Sequence, residues 1–236
     1  MSQSLAANKR AVLFDLDGTL YDQRRLRIRI ACRLAGALLR RPYYAKQTIE
    51  CLRAYRRAQE QLRGLKSVQD LGIAQFQSAS RMCGYPIELV QEIVHTWMEE
   101  QPLSLLASCI YTGLPEFLDF LHQHHIALAV VSDYPAWDKL RAMGLDHYFQ
   151  VVITAQDKDV QVFKPSTAGI RLALCRLGVD PHQALYIGDR PEVDGVAAAR
   201  SGVTYANIGR LSVNRSNRVS YPELHRQWLV ECRREQ

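Results

Sequence analysis

Short apolar runs and amphipathic stretches divide this chain into two zones. Val12, Leu13 and Phe14 form an apolar run that ends on Asp15, Asp17, Gly18 and Thr19, the signature of a buried strand followed by a turn. From there to about Leu103 the spacing is helical. Leu26, Ile30, Leu34 and Leu38 recur every four residues beside a stripe of Arg25, Arg29 and Arg33, and Pro42 should end that helix. A second helix is expected from Ala45 to Leu62, ending at Gly64. A third should be capped by Ser67 with Asp70 and closed by Gly84 and Pro86. Leu89, Val90, Ile93, Val94 and Trp97 give the apolar face of a fourth, stopped by Pro102.

From Tyr111 onward strands and helices alternate. Apolar runs at 126–131, 151–154, 184–187 and 204–208 read as strands, separated by helical faces at Phe117 to Leu121, Trp137 to Met143, Ile170 to Leu177 and Asp194 to Ser201. Gly144, Gly178 and Gly202 stand where helix C-caps are needed. The alternation predicts an α/β fold, a Rossmann-like parallel sheet with helices on both faces. The core is expected to comprise residues 1–21 and 104–236, and residues 22–103 an inserted all-helical unit. The basic segment from Leu211 to Gln236 is expected to hold one helix, carrying Leu224, Trp228 and Leu229.

Composition changes this picture little. Of 236 residues, 47% are hydrophobic and 23% charged, ordinary values for a globular protein. No apolar run is long enough to span a bilayer, and the polar start from Ser2 to Arg10 lacks the core of a secretory signal, so a cytoplasmic location is expected. Six cysteines without a Cys-x-x-Cys pair argue against a zinc or disulfide framework. The net charge of +6 suits anionic ligands without selecting one. Between Arg24 and Lys66 thirteen Lys or Arg face two Glu. Such a run is usually a solvated face; selection of a substrate, with Tyr21, Arg24, Tyr43 and Tyr44 as candidates, or contact with an acidic membrane surface are the sharper readings. Nucleic-acid binding is not expected, because aromatic and basic residues are not interleaved. The group His122, His124 and His125 reads as a helix end rather than a metal site.

Ligands of open parallel sheets bind beyond the carboxyl ends of the strands, so the informative residues are those just after each strand. These are Asp15 and Asp17, Ser132 with Asp133, and Asp189 with Asp194 nearby; Lys164 precedes a helix. Asp15 and Asp17 lie two apart in extended chain and face one side. Two such carboxylates repel by about 4 kcal/mol at 4 Å under an effective dielectric of roughly 20, so they need a metal, a shared proton or a cationic partner. Taken singly, Ser132 could form an ST turn, Lys164 could be a solvated residue, and Asp194 could be a helix-terminal acid.

Together, Asp15-Leu-Asp17-Gly-Thr19, Ser132, Lys164-Pro165 and Gly188-Asp189 with Asp194 resemble the motifs of the haloacid dehalogenase superfamily of hydrolases, most of them phosphatases, here with a helical (C1-type) cap. The resemblance implies that Asp15 is the nucleophile, Asp17 the acid and then the base, and Ser132 a phosphate ligand. Lys164 would orient nucleophile and phosphate. It also implies Mg2+ held by Asp15, the backbone carbonyl of Asp17 and Asp189, with Asp194 supporting the metal shell. The expected reaction is hydrolysis of a small phosphorylated molecule. Phosphomutase or other transferase chemistry, dehalogenation, and a non-catalytic binding protein using the basic cap or tail are the alternatives. Oligomeric state is not legible.

Overall fold

The computed structural model describes residues 5–39, 42–63, 65, 69–208 and 219–232. Strands β1 (Ala11–Phe14), β2 (Ala127–Ser132), β3 (Val151–Thr154), β4 (Ala184–Gly188) and β5 (Thr204–Asn207) form one parallel sheet in the order β3-β2-β1-β4-β5. The sheet is the one that the strand–helix alternation predicts, and β1 runs down its middle. Strand periodicity divides its side chains between two cores. Val12, Phe14, Leu128, Val130, Leu185 and Ile187 face helices α6 (Leu114–Gln123), α7 (Trp137–Met143) and α10 (Tyr221–Cys232). Leu13, Ala129, Val131, Ile153 and Tyr186 face α8 (Ala168–Leu177) and α9 (Val196–Arg200). Covering both faces is what makes these strands apolar throughout.

Between β1 and β2 stand α1 (Gln23–Leu39), α2 (Pro42–Arg63), α3 (Leu71–Cys83), α4 (Ile87–Val94) and α5 (Gln101–Leu106). α2, α3 and α4 enclose a core of their own, built on Cys51, Tyr55, Ala58, Ala79, Val90 and Ile93. Within it Gln59 Nε2 and the Tyr55 hydroxyl both donate to Gln75 Oε1, at 2.9 and 3.2 Å. The chain leaves and re-enters the sheet layer as a hydrogen-bonded pair of passages: Asp22 N–H meets Cys109 C=O, and Tyr111 N–H meets Leu20 C=O. Leu105, Leu106 and Cys109 already belong to the sheet's core.

Three local expectations differ from the structure. The second helix begins at Pro42, three residues early, because the first turn of a helix requires no proline N–H. Pro102 does not stop the fourth helix. A π turn at His95–Glu100, closed by Gln101 N–H on Thr96 C=O, carries the chain on into α5, where Pro102 again occupies a first turn. Asp194 does not open an α-helix either: it lies in a π turn at Pro191–Gly195, ahead of α9. For α3 the cap is Asp70, whose carboxylate accepts Ile73 N–H at 2.9 Å; Ser67 and Gly64 lie outside the described residues, as does 211–218 of the tail.

The arginine run is partly structural rather than simply solvated. Arg33 of α1 donates to Gln101 C=O and Ser104 Oγ of α5, at 3.0 and 2.9 Å, and Arg29 to Ser108. The histidine group closes α6, with His124 Nδ1 2.8 Å from Phe120 C=O. Among the described residues no helix is long and apolar enough to cross a membrane.

Candidate active site

The loop after β1 is held from three sides. Asp15 N–H donates to Ile187 C=O at 2.9 Å, Thr19 Oγ1 donates to Asp15 Oδ2 at 3.0 Å, and Tyr221 of α10 donates to Thr19 C=O at 2.9 Å. The tail helix, expected from the sequence but with no chemistry attached to it, thus supports the loop. Gly18 has φ +95, and a Cβ there would lie 2.3 Å from Asp189 Oδ2. Only glycine meets both conditions. Gly18→Ala is expected to cost at least about 2 kcal/mol of stability, which thermal unfolding would measure.

Lys164 is the centre of charge. Its buried Nζ lies 2.6 Å from Asp15 Oδ1, 2.6 Å from Asp194 Oδ1, 3.0 Å from the Tyr186 hydroxyl and 3.2 Å from Val131 C=O. Burial opposes its charge, but Asp15, Tyr186 and Asp194 together hold the ammonium well above its ordinary pKa. Burial drives Asp15 upward against the pull of Lys164. Asp194 is fully engaged, because Oδ2 accepts Arg190 N–H at 3.1 Å while Oδ1 takes Lys164. Gly188 permits this approach, since a Cβ there would stand 2.7 Å from Asp194 Cγ.

Carboxylate oxygens of Asp15, Asp189 and Asp194 lie within 4.8 Å of one another. Three carboxylates against one ammonium leave an excess of negative charge. Burial, then Asp194, push Asp189 up to about 6, and its buried Oδ1 has no hydrogen-bond partner among the described residues. An unpartnered oxygen in an under-neutralised carboxylate group suits a hard divalent cation.

Asp17 is not one of these three and is held by donors of its own. Lys139 of α7 donates to Oδ1 and Oδ2 at 2.7 and 2.9 Å, and the buried Tyr21 hydroxyl also donates to Oδ1. Each of the two carboxylates that crowd in sequence therefore has its own lysine, Lys164 for Asp15 and Lys139 for Asp17. Lys139 was not among the expected residues, and its position on an amphipathic helix carries no distinguishing signal. Tyr21 belongs to the second carboxylate, not to a surface over the site. Tyr43 is 78% exposed at the start of α2. Ser132 ends β2 with Oγ accepting Tyr134 N–H at 3.1 Å, an ST turn that leaves its O–H hydrogen uncommitted to that bond.

The sequence profile of haloacid dehalogenase-like hydrolases matches residues 12–208, which contain Asp15, Asp17, Ser132, Lys139, Lys164, Asp189 and Asp194. The chain belongs to the haloacid dehalogenase-like hydrolase family. A phosphoserine phosphatase from Thermus thermophilus is 30% identical over 138 residues, 57% of this chain, and the chain spans 53% of that relative. A pyrophosphatase PpaX from Halalkalibacterium halodurans is 26% identical over 204 residues, 84% of this chain and 82% of the relative. A 2-haloacid dehalogenase structure from Pseudomonas syringae superposes with a TM-score of 0.65 at 21% identity, covering 97% of this chain and 100% of that one. That likeness extends the shared fold over nearly the full chain.

Proposed function

We propose that the chain is a Mg2+-dependent phosphatase that hydrolyses a small phosphomonoester through an aspartyl-phosphate on Asp15. Residues 22–103 would act as a cap over a core of 1–21 and 104–236. The observation that carries the reading is the under-neutralised group of Asp15, Asp189 and Asp194 around Lys164, with a separately held second carboxyl, Asp17, two residues from the nucleophile. Two matched relatives named for phosphate hydrolysis support the same class of reaction.

Asp15 Oδ1 or Oδ2 attacks phosphorus, the bond to the leaving oxygen breaks, and Asp17 as an acid protonates that oxygen. Asp17, then a carboxylate, takes a proton from water; the water oxygen attacks phosphorus and the bond to Asp15 breaks, releasing phosphate. Lys139 and Tyr21 donate to Asp17 and hold its carboxyl in place beside the nucleophile's loop. Ser132 donates its hydroxyl to a phosphoryl oxygen, and Lys164 favours the charged form of Asp15 and aims it. Asp15 and Asp189 with the Asp17 carbonyl would hold Mg2+, which supplies charge neutralisation of the phosphoryl oxygens when bound.

Purified protein with Mg2+ is expected to release phosphate from members of a panel of phosphosugars, nucleotides, phosphoserine, phosphoglycolate and pyrophosphate. Activity on none of them would sink the reading. Chelation is expected to abolish turnover and Mg2+ to restore it. Independently of turnover, Mg2+ should raise the melting temperature through preferential binding to the folded form, and Asp189→Asn should remove that rise. An identical rise in the variant would move the metal elsewhere.

A further inference from the structure

One buried side chain ties the helical insertion to the catalytic lysine. Arg63 ends α2 yet has only 9% of its side chain exposed, because it is packed against the loops that follow β2 and precede α8. Its Nη1 donates to Asp133 Oδ2 at 2.6 Å and to Lys164 C=O at 2.8 Å, and its guanidinium carbon lies 5.2 Å from the Phe163 ring centroid. Asp133 Oδ1 accepts Lys164 N–H at 3.0 Å. The backbone of Lys164 is therefore gripped at both ends, its N–H by Asp133 and its C=O by Arg63. Its ammonium is the group that reaches Asp15 and Asp194. Apolar contact seals the same junction: Leu71 of α3 packs with Ala155 and Phe163, and Leu71 N–H meets Gln161 Oε1 at 2.6 Å.

We infer that Arg63 is a positioning residue supplied by the helical insertion, which sets the backbone of Lys164 through Asp133 only while the insertion is docked on the sheet layer. Arg63 touches none of the reacting atoms; docking acts on the nucleophile through Asp133, the Lys164 peptide and the Lys164 ammonium in turn. A guanidinium suits the task because its planar fork serves Asp133 and the carbonyl from Nη1 while Nε holds Glu60 at 3.1 Å. A lysine would supply the charge without that fork. The inference rests on the assignment of Lys164 to the nucleophile under the proposed phosphatase reaction.

The test compares Arg63→Ala, Arg63→Lys and Asp133→Asn with the parent protein, by hydrogen exchange and by steady-state kinetics with Mg2+ and the best substrate of the panel. Asp133→Asn keeps the shape and an acceptor for Lys164 N–H, so it reports on the pair should removal of the arginine disturb folding. In Arg63→Ala, exchange at Lys164 N–H is expected to rise at least about tenfold while amides of β1 and β4 stay unchanged, and kcat to fall about tenfold to a hundredfold with KM nearly constant. Arg63→Lys should resemble Arg63→Ala, and added guanidinium should restore part of kcat in Arg63→Ala. Unchanged exchange at Lys164 in both Arg63→Ala and Asp133→Asn would overturn the inference, and so would faster exchange with kcat intact. Exchange reads the linkage without turnover and Asp15→Asn reads the chemistry without the linkage, so either can fail alone.

Discussion

Asp15→Asn is expected to lower phosphate release at least about a thousandfold while leaving the fold as stable as before, or more so. The amide keeps the shape of the carboxyl and an oxygen for the Thr19 hydroxyl, which donates to Asp15 Oδ2 at 3.0 Å. It loses the charge that would attack phosphorus in the proposed reaction. Lys164 still has Asp194 at 2.6 Å, so its ammonium is not left unpaired. Removing one of three clustered carboxylates relieves repulsion that burial makes expensive. Turnover measured beside thermal unfolding without divalent cation separates the two effects. A destabilised, inactive variant would point to a structural role; an active one would remove Asp15 from the chemistry.

Lys164→Met should show the opposite pairing, a loss of both activity and stability. The ammonium is the neutralising partner of Asp15 Oδ1 and Asp194 Oδ1, both at 2.6 Å. Removing it leaves two buried carboxylates facing one another, a cost of about 3–5 kcal/mol by comparison with other broken buried pairs. Urea unfolding without divalent cation would measure it. Adding Asp15→Asn to Lys164→Met should return part of the loss, because the two sites share one charge group and their effects are not additive. Simple additivity would contradict the view that these residues form one electrostatic unit.

Sequence made the sheet and the strand-end residues legible for a common reason. Residues just beyond parallel strands converge, so Asp15, Lys164, Asp189 and Asp194 could be brought together from their order alone, although they are up to 179 positions apart between Asp15 and Asp194 in numbering. What remained hidden depends on where a helix presents its charged face. Lys139 is indistinguishable in sequence from a solvated lysine, yet it carries the second carboxylate. Arg63 was one cation among thirteen, and only its position at the end of α2 turns it inward. The helix stop expected at Pro102 and the helix start expected at Asp194 give way to π turns, which follow from tertiary fit rather than from a local pattern. The contact of Tyr221 with Thr19 joins residues separated by 202 positions, beyond the reach of periodicity.

The central claim is that a phosphoryl group passes through Asp15. Protein turning over its best substrate with Mg2+ can be quenched in acid, digested and weighed by mass spectrometry. The peptide containing Asp15 is expected to gain the mass of one phosphoryl group, lost on treatment with hydroxylamine and absent from Asp15→Asn. Sustained turnover with no phosphoryl group on that peptide, or with one on another residue, would contradict the account.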